Sequence, residues 1–255
     1  MSAFGLGLSP RLLASDISVG EHVVKKVGGL SVNLDTVWAT GAAMVVVIGL
    51  GLAMRSRATS GLPGKLQLFW EMITSSVSNQ VESSIGPRGA SIVPLAISLF
   101  VFILVANFFE ALGLGSKYEW LAAPTGDINL PLAMAIFVIV LVHIASIRTR
   151  GLKGYFKHYF QPFAFLFPIN VVEELTKPIT LALRLFGNLL SGGLLLALIA
   201  ALGVWEISRI PIGSVVVLVI NPVWKLFDLF IGAIQAFIFA LLTILYFEAA
   251  MSEAH

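Results

Sequence analysis

Five apolar runs, each at least about as long as a membrane is thick, constrain this chain more than any other feature of its sequence. A transmembrane helix needs about 20 mainly apolar residues to cross a hydrocarbon core of about 30 Å. With 58% hydrophobic and only 12% charged residues, the 255-residue chain is too apolar for a soluble domain. The sequence therefore predicts an all-α integral membrane protein forming a single membrane domain. The spans are expected at 36–54, 92–114, 130–147, 170–204 and 214–250.

The fourth and fifth runs are longer than an upright helix requires. Overlong segments tilt or kink to fit the hydrocarbon thickness. Pro178 lies inside the fourth run, and Pro222 and Gly232 lie inside the fifth. Because proline removes a backbone hydrogen bond from a helix interior, we expect both helices to be kinked and tilted.

Two segments outside the spans have distinct patterns. Residues 1–33 mix charged and scattered apolar residues without a spanning run, so we expect an exposed or surface-lying arm. Segment 63–85 has apolar residues at helical spacing, which predicts an amphipathic helix at the membrane interface. Its apolar positions include Leu66, Phe69, Trp70, Ile73, Val77 and Val81. This helix either packs as a lid on the protein's own surface or docks a partner subunit.

The basic residues of the connections predict the orientation of the spans, since Lys and Arg concentrate in cytoplasmic loops. The 55–88 and 148–157 connections carry four each, and the 113–127 and 205–213 connections carry one each. The N-terminus is then outside and the C-terminus cytoplasmic. The small net charge of +2, in short clusters, argues against nucleic acid as a partner, and the chain has no cysteine.

The stretch from Glu173 to Ser191 places a positive charge inside the fourth run. Arg184 lies about halfway along the run, where an unpaired guanidinium costs about 2.5–3.5 kcal/mol on insertion scales. At about 3.6 residues per turn, the polar residues of this stretch fall in one narrow stripe. The stripe comprises Glu173, Lys177, Arg184, Asn188 and Ser191. We therefore expect the stripe to face something other than lipid.

Acidic residues on the predicted spans lie on both sides of this arginine. Glu173 and Glu174 lie roughly 15 Å on its cytoplasmic side, at about 1.5 Å per residue. Asn107 and Glu110 are expected near the outer end of the second span. Asp228 precedes Gln235 on an inward-running helix, so Asp228 lies nearer the outside. These two residues share one helix face with Tyr246.

This distribution predicts two aqueous half-paths, one from each side, separated by a fixed positive charge. Carboxylates take up and release protons when water reaches them, whereas arginine stays protonated in proteins. Arg184 would block a direct proton relay. It would also attract a carboxylate presented by a partner and favour its ionised form.

Several of these residues also have a purely structural interpretation. Glu173, Glu174 and Lys177 could be interfacial charges near a helix start, where acidic residues suit the helix dipole. Asn107 could satisfy a neighbouring helix by hydrogen bonding. His143, on the third span, is interpreted as a packed or hydrogen-bonded histidine.

Metal and cofactor sites are not expected. His143 has no second histidine or carboxylate at i+3 or i+4, as a helical metal site would require.

Gly192-Gly193 most simply permit close helix contact. Glu110 and Asp228 are harder to explain structurally, since carboxylates within spans usually face a cavity.

Five motifs carry a specific resemblance that covers most of the chain after residue 60. They are LALRLFGN at 181–188, IQAFIFALLTILY at 234–246, NFFEALGL at 107–114, PTGDINLPLAMA at 124–135 and QPFAFLFPIN at 161–170. Together they resemble subunit a of bacterial F-type ATP synthases, the stator half of the proton channel. The resemblance implies a multi-pass protein of the bacterial inner (plasma) membrane. Its implied partners are a ring of c subunits, against which the last two spans tilt, the b-type subunits of the peripheral stalk and the rest of the complex.

The resemblance also implies roles for individual residues. Arg184 would face the carboxylate of each c subunit and couple proton flow to ring rotation and ATP synthesis elsewhere in the complex. Asn188 and Gln235 would be its polar neighbours, and Asn107 and Glu110 the polar pair of the outer half-channel. No cofactor is implied.

The chain departs from many bacterial relatives at two positions. Gly193 stands where a glutamate follows the arginine by nine residues, and Asp228 stands where a histidine precedes the glutamine by seven. The outer path would then depend on Asp228, Glu110 and water. On the inner side, either Glu173 or Glu174 would face the channel.

Two other functions compete with this interpretation. An independent proton-coupled secondary transporter would bind an anionic substrate at Arg184, and a purely structural scaffold would leave Arg184, Glu110 and Asp228 unexplained. The stator interpretation requires no nucleotide site, so the subunit alone would not be catalytic. The sequence indeed lacks a G-x-x-x-x-G-K-[ST] motif, the nearest Gly-Lys pair being Gly64-Lys65.

Overall fold

The described residues form a bundle of six long helices. The computed structural model describes residues 24–27, 30–59, 61–112, 124–161, 163–202 and 212–251. The helices are α1 (Leu34–Arg57), α2 (Lys65–Ile85), α3 (Val93–Leu112), α4 (Asn129–Tyr159), α5 (Phe167–Leu202) and α6 (Ile212–Met251). Short 3-10 turns lie at Pro87–Ser91, Pro124–Gly126 and Ala164–Leu166. The predicted all-α membrane class is confirmed.

Among the described helices, α1, α4, α5 and α6 are long and apolar enough to cross a membrane. The apolar part of α3 is shorter, at Val93–Phe109. At about 1.5 Å per residue, the 20 residues of α3 still measure about 30 Å. The five predicted apolar runs therefore correspond to five long helices.

The last two helices are the longest, as their sequences predict. α5 has 36 residues and α6 has 40, which correspond to about 54 and 60 Å. α5 continues through Pro178 and α6 through Pro222. Both exceed the hydrocarbon thickness of about 30 Å by a wide margin. Their tilt and kinking remain predictions.

α4 extends well beyond the predicted third span and bends inside its length. The span was expected at 130–147, but helical structure continues to Tyr159. Gly151 interrupts it with φ 70° and ψ 165°, a positive φ that glycine adopts without steric cost. The basic 148–157 connection is therefore largely helical, and its second half leaves the axis of the first.

A β-hairpin precedes α1. Strand β1 (Val24–Val27) pairs antiparallel with β2 (Leu30–Asn33), with Lys25 opposite Val32. Of the predicted arm at 1–33, residues 1–23, 28 and 29 lie outside the described part of the chain. The hairpin is ordered structure that the scattered composition of the arm did not predict.

The predicted amphipathic segment at 63–85 forms α2. One face packs on the protein's own helices, with Val81 buried against Ala96 of α3 and Ile244 of α6. The other face leaves large apolar side chains exposed, namely Leu68, Phe69 and Met72. The helix thus covers its own bundle, as the lid interpretation expects, and also presents a second apolar face.

The core lies between α3, α4, α5 and α6. Ile103, Val138, Leu181 and Leu185 are almost fully buried there. Because residues four apart lie on one side of a helix, burying Leu181 and Leu185 fixes the rotation of α5. That rotation sets the direction in which its polar stripe faces.

Candidate functional site

Arg184 lies at the middle of α5 on the outer surface of the bundle. Its neighbours Leu181 and Leu185 point into the core, and Arg184 itself is exposed. Within the described part of the chain it has no hydrogen bond and no ion pair. A guanidinium at this depth is costly unless water or another charge compensates it. Compensation at this site therefore requires water or a charged group that the described residues do not supply.

The rest of the polar stripe follows the border between the buried and exposed faces of α5. Asn188 is half-buried and Ser191 is exposed, and the Ser191 hydroxyl donates to the Asn188 carbonyl at 2.8 Å. Glu173 is exposed and Lys177 is half-buried. The stripe is therefore only partly open to the surroundings of the bundle.

α6 lies along this border and brings its own polar residues to α5. Asp228 is buried against Gly192, where an added Cβ would lie 2.5 Å from Asp228 Oδ1. Further along, the Lys177 ammonium lies 5.9 Å from the ring centre of Tyr246. These two contacts set the antiparallel register of α5 and α6. We call this boundary the α5–α6 seam, defined by Lys177, Arg184 and Gly192 on α5 and by Asp228 and Tyr246 on α6.

The register of the seam gives relative depths. Gly192 lies eight residues beyond Arg184, or roughly 12 Å along α5, and Asp228 lies at the depth of Gly192. Seven residues along α6 in the opposite direction, roughly 10 Å, Gln235 returns to about the depth of Arg184. Gln235 is half-buried. The structure thus places Asp228 and Tyr246 on the side of α6 that contacts α5, and the position of Gln235 on the same side stays a prediction from helical periodicity.

Asn107 is buried, and both its amide nitrogen and its amide oxygen are hydrogen-bonded. Its Nδ2 donates to the Gly232 carbonyl at 2.9 Å, and its Oδ1 accepts from the Thr125 hydroxyl at 2.9 Å. Asn107 is 4% exposed and Thr125 is fully buried. These contacts are the ones expected if Asn107 has the structural role of hydrogen bonding to a neighbouring helix. Because Gly232 lies one turn beyond Asp228, the network is close to the Asp228 end of the seam.

Glu110, the predicted partner of Asn107, lies in the last turn of α3. Its side chain lies outside the described residues.

Asp127 is a buried carboxylate that the sequence interpretation did not single out. It is 6% exposed and accepts hydrogen bonds from Asn33 at 2.7 Å, Thr36 at 3.0 Å and both nitrogens of Asn129. It therefore ties the start of α1 to the start of α4. The available signal was its position in the turn P-T-G-D-I-N, since aspartate side chains bond backbone two residues on.

Glu173 and Glu174 differ in orientation. Glu173 is exposed, whereas the Glu174 side chain is 22% exposed and points towards the bundle. Glu174 Oε2 accepts from Lys177 Nζ at 2.7 Å, and Glu174 Oε1 lies 3.9 Å from His143 Nε2. Of the two adjacent carboxylates, only Glu174 joins side chains of another helix.

His143 is hydrogen-bonded on its other side, as its structural interpretation expected. The Tyr155 hydroxyl lies 3.3 Å from His143 Nδ1, and it lies 2.9 Å from the Tyr159 hydroxyl. In the described ranges, no group of three or more His, Cys, Asp or Glu residues is arranged to hold a metal ion. The polar residues on this side of Arg184 instead form a continuous cluster of titratable groups.

The sequence also matches known proteins over nearly its whole length. The family model described as ATP synthase A chain matches residues 36–248. A protein of Acidothermus cellulolyticus is 49% identical over 96% of this chain and 87% of its own length. A protein of Mycobacterium marinum is 46% identical over 96% of this chain and 97% of its own length. A more distant protein, from Bacillus subtilis, is 34% identical over 89% and 96%, respectively. All three are named ATP synthase subunit a.

Proposed function

The chain belongs to the ATP synthase A chain family, and from that premise we propose that it is the proton-translocating stator subunit of a rotary ATP synthase. In this role it forms two aqueous half-channels separated by Arg184. A ring of c subunits moves past Arg184, and each c subunit presents one carboxylate. Proton flow through the half-channels turns the ring and so supports ATP synthesis elsewhere in the complex.

The single observation that carries this proposal is the outward-facing, unpaired guanidinium of Arg184. The other four residues of the α5–α6 seam each contact the facing helix, but Arg184 is exposed without a described partner. A carboxylate from a partner would compensate its charge within the low-dielectric interior, where charge pairs interact strongly. Because arginine keeps its proton, it would hold that carboxylate ionised and prevent protons from crossing directly.

The outer half-channel runs along the Asp228 end of the seam. Asp228 lies at the depth of Gly192, roughly 12 Å from Arg184, and Gln235 lies close to Arg184. Asn107 orders the neighbouring backbone at Gly232, and Glu110 is proposed to continue the path outward. In this chain Asp228 would act in place of the histidine relay of other bacterial relatives.

The inner half-channel runs along the opposite end of the seam. Its acidic group is proposed to be Glu174, because Glu174 faces the bundle and Glu173 faces outward. Asn188 and Tyr246 line the seam on either side of Arg184. This assignment places one set of titratable groups on each side of the fixed charge.

The orientation and remaining partners complete the proposal. We propose a cytoplasmic location for the 55–88 and 148–157 connections, which the four Lys and Arg residues in each support. The N-terminus is then outside and the C-terminus cytoplasmic, in the plasma membrane.

The exposed apolar face of α2, with Leu68, Phe69 and Met72, is proposed to contact the b-type subunits of the peripheral stalk.

The central test replaces Arg184 with alanine in the assembled complex and measures proton-driven ATP synthesis in membrane vesicles. We expect synthesis to be abolished although the complex still assembles. Arg57→Ala, which removes an exposed charge at the end of α1, is the matched control and should leave synthesis unchanged. Normal synthesis by an assembled Arg184→Ala complex would refute the central role of Arg184.

The ring partner can be tested separately by cross-linking. Because the chain has no cysteine, single cysteines can be introduced without a background. A cysteine at the exposed position Leu183 should cross-link to a cysteine on a c subunit, whereas one at the buried position Leu185 should not. Proton-coupled uptake by the purified chain without the ring would instead support an independent transporter with an anion site at Arg184.

A further inference from the structure

We propose that Glu174, His143, Tyr155 and Tyr159 form a hydrogen-bonded relay that conducts protons between the inner side of the α5–α6 seam and the cytoplasmic end of α4. This inference rests on the function proposed above, and it gives the inner half-channel a specific route. The relay uses a histidine and two tyrosines that sequence interpretation had treated as structural or had not considered.

The four side chains lie in one series with one step longer than a hydrogen bond. Glu174 Oε1 lies 3.9 Å from His143 Nε2, His143 Nδ1 lies 3.3 Å from the Tyr155 hydroxyl, and this hydroxyl lies 2.9 Å from that of Tyr159. Two of the three steps are within or near hydrogen-bond distance. The first is longer, so a bridging water or a small side-chain rotation completes it.

Glu174 and His143 each present two polar atoms to two different neighbours. Lys177 holds Glu174 Oε2 at 2.7 Å and leaves Oε1 directed at His143. The two imidazole nitrogens of His143 face different neighbours, which is the arrangement a shuttle requires. His143, Glu174 and Lys177 are 29%, 22% and 26% exposed, so the series is shielded from bulk water but not sealed.

The bend at Gly151 creates this series. Tyr155 follows His143 by twelve residues, which would separate their backbones by roughly 18 Å in a straight helix. The contact of 3.3 Å between their side chains requires the second half of α4 to turn back. Gly151, with φ 70°, supplies that turn. A polar series of this kind is thus built by tertiary structure and not by helical periodicity.

Proton transfer along the series is balanced at every step. Glu174 Oε1 takes up a proton from the inner side of the seam and passes it to His143 Nε2, and the imidazole releases the proton on Nδ1 to the Tyr155 oxygen. Tyr155 releases its own hydroxyl proton to the Tyr159 oxygen, and Tyr159 releases its proton to cytoplasmic water. Each group gains one proton and loses one, so no net charge remains on the relay. The reverse sequence serves transport in the other direction.

The environment of Tyr159 favours its neutral form. Tyr159 lies beyond the candidate span, which ends at Lys157. Burial raises its pKa, and the hydrogen bond with Tyr155 and the negative charge of Glu174 raise the pKa further. Tyr159 therefore acts as a neutral hydroxyl that receives one proton while giving up another. It does not need to become a phenolate.

The structural alternative is that these rings only fasten the second half of α4. The His143 and Tyr155 rings meet edge to face with centres 5.9 Å apart, and Tyr155 meets Tyr159 with centres 5.3 Å apart. Tyr155→Phe separates the two roles, because it keeps the ring contacts and removes only the hydroxyl. His143→Gln is a second variant that removes the two-sided imidazole.

The test measures passive proton conductance and proton-driven ATP synthesis by the assembled complex in liposomes. A positioned acid–base group typically contributes 10²–10⁴-fold. Because water can partly replace a lost hydroxyl, we expect Tyr155→Phe and His143→Gln each to lower proton flux about tenfold. The double variant should lose no more than the more impaired single variant, since both interrupt one series. Thr149→Val, which removes a hydroxyl bonded only to its own helix, should leave the flux unchanged.

The outcomes distinguish the relay from the function on which it rests. Wild-type flux in both Tyr155→Phe and His143→Gln would overturn the relay, while loss of synthesis in Arg184→Ala would leave the stator function standing. Normal synthesis in Arg184→Ala would overturn the stator function itself. If His143→Gln fails to assemble, Tyr155→Phe alone decides. Additive losses in the double variant would also contradict a single series.

Discussion

Gly192 of α5 and Asp228 of α6 are in direct contact, with space at Gly192 for a hydrogen atom but not for a methyl group. An added Cβ would lie 2.5 Å from Asp228 Oδ1 and 2.9 Å from its carboxyl carbon. The Trp224 indole nitrogen lies 3.4 Å from the Gly192 carbonyl and closes the same contact from one turn away. The absence of a side chain at Gly192 therefore leaves the space that the Asp228 carboxylate occupies.

Gly192→Ala should displace Asp228 and weaken the α5–α6 contact. Overpacking of this kind typically costs about 1–3 kcal/mol, so we expect lower thermal stability of the purified subunit and reduced proton-driven synthesis. Gly49→Ala is the matched control, because nothing lies within 4 Å of its added Cβ. Combining Gly192→Ala with Asp228→Ala should restore stability but not synthesis. Unchanged stability in Gly192→Ala alone would show that the contact adapts without cost.

Asp228→Asn should slow proton entry from the outside while preserving packing. The amide has nearly the same size as the carboxylate but does not exchange a proton in this way. We expect proton-driven ATP synthesis to fall about tenfold or more if Asp228 replaces the missing relay histidine. The measurement is the synthesis rate with the outer pH varied from acidic to neutral and the inner pH held constant. Rates equal to wild type across that range would remove Asp228 from the path.

Glu174→Gln and Glu173→Gln should differ in effect, and each serves as the control for the other. Glu174 pairs with Lys177 at 2.7 Å and faces His143, whereas Glu173 is exposed. We expect Glu174→Gln to reduce proton flux clearly and Glu173→Gln to change it little. Equal and negligible losses would favour the interpretation of both residues as interfacial charges. A larger loss of proton flux in Glu173→Gln than in Glu174→Gln would assign the inner half-channel to Glu173.

Asp127→Ala should destabilise the subunit without blocking a proton step. The buried carboxylate accepts bonds from the start of α1 and the start of α4, and each buried donor left unpaired costs about 1–3 kcal/mol. We expect a lower unfolding temperature in detergent, with Asp127→Asn intermediate. Ser98→Ala, which removes an exposed hydroxyl bonded only to its own helix, should have little effect. Wild-type stability in Asp127→Ala would show that water replaces these bonds.

The helices and the polar stripe of α5 were predictable because they depend on local periodicity. Apolar runs of sufficient length predict the helices directly, and a spacing of 3.6 residues places Arg184, Asn188 and Ser191 on one side. These features need no knowledge of which helices are neighbours.

Other parts of the site depend on contacts that periodicity does not encode. Glu173 and Glu174 are adjacent and only about 100° apart on the helix, so their roles follow from the exact position of α4 beside α5. Asp127 bonds Asn33, which is 94 residues away, and no local pattern predicts that pairing. The contact of His143 with Tyr155 requires a bend at Gly151. The presence of glycine in this basic segment does not predict that bend.

That bend has a consequence for how the inner side of the protein can change. Gly151 holds a positive φ that other residues adopt only at a cost, so the backbone conformation at this residue decides whether Tyr155, which bonds Tyr159, also reaches His143. A sequence change there would disconnect the series without removing any titratable group, and a comparison of ionisable residues would not detect the loss. The inner route therefore depends on backbone conformation as much as on side-chain chemistry, whereas the charge at Arg184 depends on one side chain.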